Sequence, residues 1–256
     1  MQIKAKKSLG QNFLEDKNIL FKIANATDIE NKTVIEIGPG QGALTKLLVK
    51  KAKKVIAYEI DKDMIEILQN DIKDDNFELI HADFLKENLS SIEKDSVIVA
   101  NIPYYITSDI LFKIFDNYHK FSKAIILMQK EVAQRIIAEP STKNYSKLTV
   151  SSNYFCNVKK LFDVSPNAFN PAPKVWSSVV SFEFKTDIEF NTTEFLEFIK
   201  LCFSFKRKKL LNNLLIKYSK ETILSKFNLL NLNENTRAQE LNLETFKTLF
   251  KEFNEI

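Results

Sequence analysis

The chain concentrates its glycine in one place, and that placement constrains its fold more than any other feature. It has four glycines in 256 residues, and three of them, Gly38, Gly40 and Gly42, fall within five positions. They stand in Gly38-Pro39-Gly40-Gln41-Gly42-Ala43, at the end of an apolar run at 34–38 and at the start of a helical pattern at 42–51. Without a Cβ, glycine lets the backbone turn tightly and pass close to a ligand. A strand that ends in such a turn and feeds a helix is the opening unit of a nucleotide-binding α/β sheet, with the helix N-terminus beside the ligand.

The rest of the first half repeats the unit. Apolar runs at 54–61, 77–83, 96–103 and 123–130 predict strands, and helical patterns at 17–26, 42–51, 62–74 and 108–118 alternate with them. Asp61 and Thr107 are the expected N-caps of the last two helices. Such alternation predicts a parallel sheet covered by helices on both faces. Two more strands are expected at 148–155 (LTVSSNYF) and 177–184 (SSVVSFEF), with an irregular loop from Pro166 to Pro173 between them. Beyond about residue 186 the pattern is helical, at 192–204, 207–218, 220–228 and 242–254. The expected architecture is an α/β protein: a seven-stranded Rossmann-like sheet domain over 1–186 and a small α-helical domain over 187–256.

Ligands of open α/β sheets bind at the carboxyl ends of the strands. Four successive strands deliver polar groups there: Glu36 to Gly42, then Glu59, Asp83 and Asn101. Glu59 follows Gly38 by 21 residues, the position from which a carboxylate accepts both ribose hydroxyls of an adenosine. On its own the glycine loop also fits a dinucleotide site, because it matches G-x-G-x-x-[GA], and it fits a bare strand–helix turn. Asp83 and Asn101 separate these readings. Asp83 can accept from an adenine amino group, and Asn101 opens Asn101-Ile102-Pro103-Tyr104. Nicotinamide chemistry needs neither, and the positioned acid/base and anion-binding arginine that it does need form no recognisable constellation in the sequence.

The Asn101–Tyr104 segment suits methylation of an exocyclic amine. The lone pair of an adenine amino nitrogen is delocalised into the ring, so the nitrogen must be drawn towards a tetrahedral geometry and aimed at the methyl carbon. The Asn101 side-chain oxygen can accept one N–H and the Pro103 carbonyl the other. Tyr104 offers a flat face on which the base can stack, and Phe169 is the candidate for the opposite face, although a core role suits it equally. Catalysis of this kind rests on positioning and needs no strong base. A base must be unpaired or flipped to reach such a pocket.

Charge points to the partner. Net charge is only +4, yet residues 199–220 carry seven basic side chains and no acid, so the remainder is net negative, 4 − 7 = −3. Lys206, Arg207, Lys208 and Lys209 are the centre of that patch and the expected phosphate-binding residues. No apolar run approaches the roughly 20 residues that span a bilayer, and the basic N-terminus lacks the apolar stretch of a signal peptide, so a cytoplasmic protein is expected. The two histidines, His81 and His119, show no ligand spacing, so no metal is expected; Cys156 and Cys202 are expected to be reduced and buried.

Six segments together make the sequence resemble the KsgA-type rRNA adenine N6,N6-dimethyltransferases nearly end to end. They are Ser8-Leu9-Gly10-Gln11-Asn12-Phe13-Leu14, residues 34–40, residues 101–104, Gln129-Lys130-Glu131-Val132-Ala133, residues 168–175 and Thr236-Arg237-Ala238-Gln239-Glu240-Leu241. The resemblance implies S-adenosylmethionine as cofactor, with S-adenosylhomocysteine as product, and cofactor contacts from Asn12 and Leu14 alongside Glu36, Gly38, Gly40, Glu59, Asp83 and Asn101. It also implies a substrate: two adjacent adenosines in the 3′-terminal hairpin loop of small-subunit (16S) rRNA, each methylated twice during ribosome assembly. A monomer acting on the small ribosomal subunit is expected. The sequence departs from the family pattern at Ser146, where glycine is frequent, at Trp176, where aspartate is frequent, and in its basic stretch. Erm-type large-subunit rRNA methyltransferases share the Asn-Ile-Pro-Tyr chemistry and are the near alternative. A non-catalytic RNA-binding assembly factor on the same fold is the distant one.

Overall fold

The computed structural model describes residues 5–205 and 207–254. It opens on a short strand, β1 (Phe13–Leu14), and a helix, α1 (Lys17–Ala24), which Asp16 caps by accepting the Asn18 and Ile19 N–H groups. The alternating unit follows: β2 (Thr33–Ile37), α2 (Thr45–Leu48), β3 (Lys54–Glu59), α3 (Lys62–Asp71), β4 (Phe77–His81), β5 (Ser96–Asn101), α4 (Thr107–Asp116) and β6 (Phe121–Gln129). Next come α5 (Lys130–Ile136), α6 (Lys147–Phe155), β7 (Cys156–Val164), β8 (Phe169–Asn170) and β9 (Ser177–Phe184). Four helices close the described chain: α7 (Thr192–Cys202), α8 (Leu210–Leu214), α9 (Lys220–Leu229) and α10 (Leu243–Asn254).

Seven strands form one sheet in the order β4-β3-β2-β5-β6-β9-β7. The pairs from β4 through β6 are parallel, and β9 runs antiparallel to β6. β2 and β5 lie side by side although β3 and β4 intervene in sequence, so the chain reverses its direction across the sheet at that point. A crevice opens there in open α/β sheets. β2 is buried along its whole length, as expected of a central parallel strand. Gly42 makes the tight entry into α2 possible: its φ is +77°, and an added Cβ would stand 2.8 Å from Leu68 Cδ2 on α3.

The chain divides into two compact units, 1–133 with 157–186, and 134–156 with 187–256. The expected boundary at 186/187 therefore needs a correction, because residues 134–156 belong with the helices. The cause lies in the segment 148–155. Its apolar pattern predicts a strand, but the segment is helix α6, seven of whose nine residues are buried. A helix buried around most of its circumference shows no amphipathic period, so periodicity cannot distinguish it from a buried strand. Its start is marked instead by Thr149, whose hydroxyl accepts the Ser146 N–H at 3.0 Å. The strand that completes the sheet is the next segment, β7. Asp61 caps α3 as expected, accepting the Asp63 N–H. Thr107 does not cap α4; it is the first helical residue, and its hydroxyl points back to the Pro103 and Tyr104 carbonyls.

The core of the helical unit is aromatic. The Tyr154 and Phe195 rings lie 4.1 Å apart, and Phe250 meets Phe190 and Phe195 edge-on. Asn213 is buried on α8, donates to the Cys202 carbonyl at 2.6 Å and accepts the Phe205 N–H at 3.2 Å. It thus ties down the start of the basic turn between α7 and α8. Arg207, Lys208 and Lys209 of that turn are exposed, and Lys206 lies outside the described residues. Among the described residues, no helix is long and apolar enough to cross a membrane, and no cluster of His, Cys, Asp or Glu could hold a metal ion.

Candidate active site

The carboxyl ends of β2, β3 and β5, together with the turn after β4, surround a cavity of about 970 Å³ in the sheet unit. Glu36, Gly38, Gly40, Glu59, Asp83 and Asn101 all line it, as do Asn12, Leu14, Pro103 and Tyr104. Its volume suits a nucleoside-sized ligand.

The acidic groups differ in their surroundings. Glu36 lies in β2, fully buried, and burial pushes its carboxyl up to about 8, reinforced by the neighbouring charge of Glu59. The proximity of Thr45 opposes this shift only in part. Neither Thr45 Oγ1 nor Glu36 Oε2 has a hydrogen-bond partner of ordinary geometry. An unpartnered buried carboxylate oxygen on a cavity wall is suited to a cationic or N–H-bearing ligand. Glu59 is raised by burial too, but less freely, because it accepts the Gly40, Ile60 and Asp61 N–H groups at 3.1, 2.9 and 2.9 Å. Those bonds fix its carboxylate under the glycine loop. Asp83 accepts the Leu85 N–H at 3.1 Å and keeps a second oxygen, 3.7 Å from Lys86 Nζ. At Gly38 (φ +68°) an added Cβ would meet only the Asn101 carbonyl, at 3.9 Å, so the backbone itself forms this part of the wall.

Asn101 ends β5 half-buried. Its Nδ2 faces the Asn12 carbonyl at 3.5 Å, which leaves Oδ1 as an acceptor. The Pro103 carbonyl is approached by the Ile106 N–H at 3.4 Å and by the Thr107 hydroxyl at 3.3 Å. Both contacts are long, so they brace the loop while competing weakly for the oxygen. Tyr104 Oη is 2.6 Å from Ser177 Oγ, and burial raises the phenol above its ordinary range, so it is neutral near pH 7. Phe169 does not join this group. It is buried in the hydrophobic core with Leu14, Val164 and Val179 and does not line the cavity. Tyr105, the next residue, also lines the cavity and is exposed, and Phe13, Phe21, Tyr58 and Phe84 contribute further aromatic surface to the wall.

One wall is unreadable from residue chemistry. Residues 9–15 cross the cavity's edge, and β1 pairs antiparallel with β8, Leu14 opposite Phe169. Lys6 Nζ and Gln11 Nε2 fasten this segment to the two oxygens of Asp61, at 2.5 and 2.7 Å. Burial pushes the Asp61 carboxyl up, but the Lys6 and Gln11 bonds outweigh it and hold it below the usual range. The one sequence signal is the fourth glycine, Gly10, which lies against the Tyr105 ring.

Known proteins resemble this chain over nearly its whole length. The family model described as ribosomal RNA adenine dimethylase matches residues 2–255. The chain is 55% identical to the ribosomal RNA small subunit methyltransferase A of Mycoplasma mobile, over 97% of this chain and 98% of that one. It is 53% identical to the protein of the same name from Mycoplasmopsis synoviae, over 98% and 97%. Among solved structures, a dimethyladenosine transferase from Plasmodium falciparum superposes with a TM-score of 0.84 at 32% identity, over 94% of this chain and 97% of that one. The 23S rRNA methyltransferase ErmE superposes with 0.70 at 25% identity, over 95% and 100%. The likeness is thus greater to the dimethyladenosine transferase than to the Erm enzyme, and with a family match that runs almost from end to end, this chain belongs to the ribosomal RNA adenine dimethylases.

Proposed function

We propose that the chain dimethylates N6 of two adjacent adenosines in the 3′-terminal hairpin loop of small-subunit (16S) rRNA, using S-adenosylmethionine, in the cytoplasm and during ribosome assembly. The observation that carries this reading is the convergence of Glu36, Glu59, Asp83 and Asn101 from four strand ends on one cavity.

The chemistry of the cavity supports this choice of cofactor. Glu59 has its carboxylate held in place for ribose hydroxyls, Asp83 keeps an oxygen for the adenine amine, and the unpartnered Glu36 Oε2 suits the cationic methionine end. Leu14 and Asn12 would close the cavity from the N-terminal segment. S-adenosylmethionine supplies an electrophilic methyl group on a sulfonium sulfur. The chain's task is to aim the target nitrogen at it. Asn101 Oδ1 accepts one N–H, the Pro103 carbonyl accepts the other, and the neutral Tyr104 ring supports the base by stacking. The same acceptors suit the monomethylated amine, which retains one N–H, so a single site serves both transfers. The exposed Arg207, Lys208 and Lys209, with Lys206, would contact RNA phosphates.

The test is incubation with labelled S-adenosylmethionine and unmethylated 30S particles, 50S particles or naked 16S rRNA, followed by mapping of dimethyladenosine. Two adjacent modified adenosines in 30S particles are expected. Label in 50S particles would support Erm-type activity, and binding without transfer would support a non-catalytic assembly factor.

A further inference from the structure

Trp176 is the only tryptophan in the chain, and it is half exposed, at 50% of its surface. Its position is specific. It directly precedes β9, whose first residue, Ser177, pairs with Gln129 at the carboxyl end of β6. That end lies two residues beyond Leu127, the partner of Asn101. Trp176 therefore emerges at the sheet edge that carries the Asn101–Tyr104 loop. Ser177, fully buried, joins the two directly through its 2.6 Å hydrogen bond to Tyr104 Oη.

The surroundings of the ring are organised. The Trp176 carbonyl accepts the Lys130 N–H at 2.9 Å, and Lys130 Nζ lies over the ring, 5.6 Å from its centroid. Lys130 Nζ is held there by Asp163 at 2.8 Å. Lys160 and Ser178 also bond that carboxylate, and Lys130, Ser178 and Lys160 together hold it at about 2. Two lysines on one carboxylate leave a net positive charge beside the ring, and exposed Lys174 stands two residues upstream. An exposed aromatic face with a fixed cation on one side and surplus positive charge nearby suits a nucleobase and its phosphate.

On the reading of the chain as an RNA methyltransferase, we propose that Trp176 is the platform on which a nucleotide flanking the target adenosine stacks. Tyr104 supports the reacting base and Trp176 its neighbour, with Ser177 setting the distance between them. The platform fixes which nucleotide presents its amine at Asn101.

Because Trp176 is the only tryptophan, its fluorescence reports this contact alone. The full-length chain, with S-adenosylhomocysteine present, is titrated with an RNA hairpin carrying two adjacent loop adenosines. Saturable quenching and protection from acrylamide are expected, and both should diminish when the flanking nucleotide is abasic. Trp176→Ala should raise KM for the hairpin about five- to tenfold, with kcat and cofactor affinity unchanged, and Trp176→Phe should restore most of the loss. Fluorescence unmoved at saturating RNA, or equal quenching by the abasic hairpin, would overturn the platform. Quenching by 30S particle proteins but not by RNA would instead assign the ring to a protein contact, and so would also overturn it. Methylation of unmethylated 30S particles by the wild-type chain is scored separately, so failure of the platform and failure of the methyltransferase reading are distinguishable.

Discussion

The two units of the chain are built differently. In the sheet unit, the candidate site is made of buried or half-buried polar groups held by hydrogen bonds: Glu59 by three backbone N–H groups, Asn101 by the Asn12 carbonyl, Tyr104 by the Ser177 hydroxyl. In the helical unit, the buried part is aromatic packing, and the candidate RNA-binding groups are exposed side chains on a turn. A reaction that must aim one nitrogen at one carbon needs the first kind of construction. Contact with a phosphate backbone needs only the second, because long exposed side chains can follow the strand. Losses in the sheet unit should therefore be steep and specific, and losses in the helical unit shallow and salt-dependent.

The steepest test is Asn101→Ala. Transfer should fall by about a hundred- to a thousandfold, while equilibrium dialysis finds S-adenosylmethionine binding within a few-fold of wild type. Near-normal turnover would break the claim that aim dominates. Next is Glu59→Ala, which should weaken cofactor binding by about ten- to a hundredfold, the worth of one or two charge-assisted hydrogen bonds. Because the Gly40, Ile60 and Asp61 N–H groups lose their acceptor, the thermal midpoint should fall as well. Replacing Arg207, Lys208 and Lys209 by glutamine should weaken RNA binding and flatten its dependence on log salt, by about 0.7–0.9 for each phosphate no longer neutralised. An unchanged salt slope would mean that the turn is merely a solvated surface.

A test of another kind concerns Glu36. Its folded carboxyl titrates at about 8 against an ordinary value of 4.5. A group raised in this way favours the folded state fully below pH 4.5, and that contribution is lost as pH rises towards 8. Unfolding of the ligand-free wild-type chain should show this decline, and Glu36→Gln should remove it. A cationic ligand favours the ionised form, so cofactor binding at pH 7 should release protons, measurable by calorimetry in buffers of different ionisation enthalpy. No proton release would count against Glu36 facing the methionine end.

What is legible in the sequence cuts across the division into two units. The parallel half of the sheet and the four strand-end groups can be read because period, glycine placement and spacing all agree there. α6 cannot, because a helix buried nearly all round has the pattern of a buried strand. Phe169 is a plausible stacking face by its place in a proline-rich loop, yet β1 pairs over that loop and Phe169, opposite Leu14, is packed into the core. Apart from Gly10, the N-terminal segment has neither apolar period nor turn chemistry to announce it. Its role arises from contacts with residues 50 to 155 positions away, which no local pattern encodes.

That segment also sets an order of events. β1 finds its partner only at β8, some two-thirds of the way along the chain, so the wall it contributes cannot form until β8 has left the ribosome. A nascent chain that has already assembled β2 to β5 would hold Glu36, Glu59, Asp83 and Asn101 in register around a cavity still missing one side. The newly made protein should thus assemble the parallel part of its sheet before it acquires cofactor affinity, and S-adenosylmethionine should act late in synthesis, as a ligand of the nearly finished sheet unit rather than as an aid to its early folding.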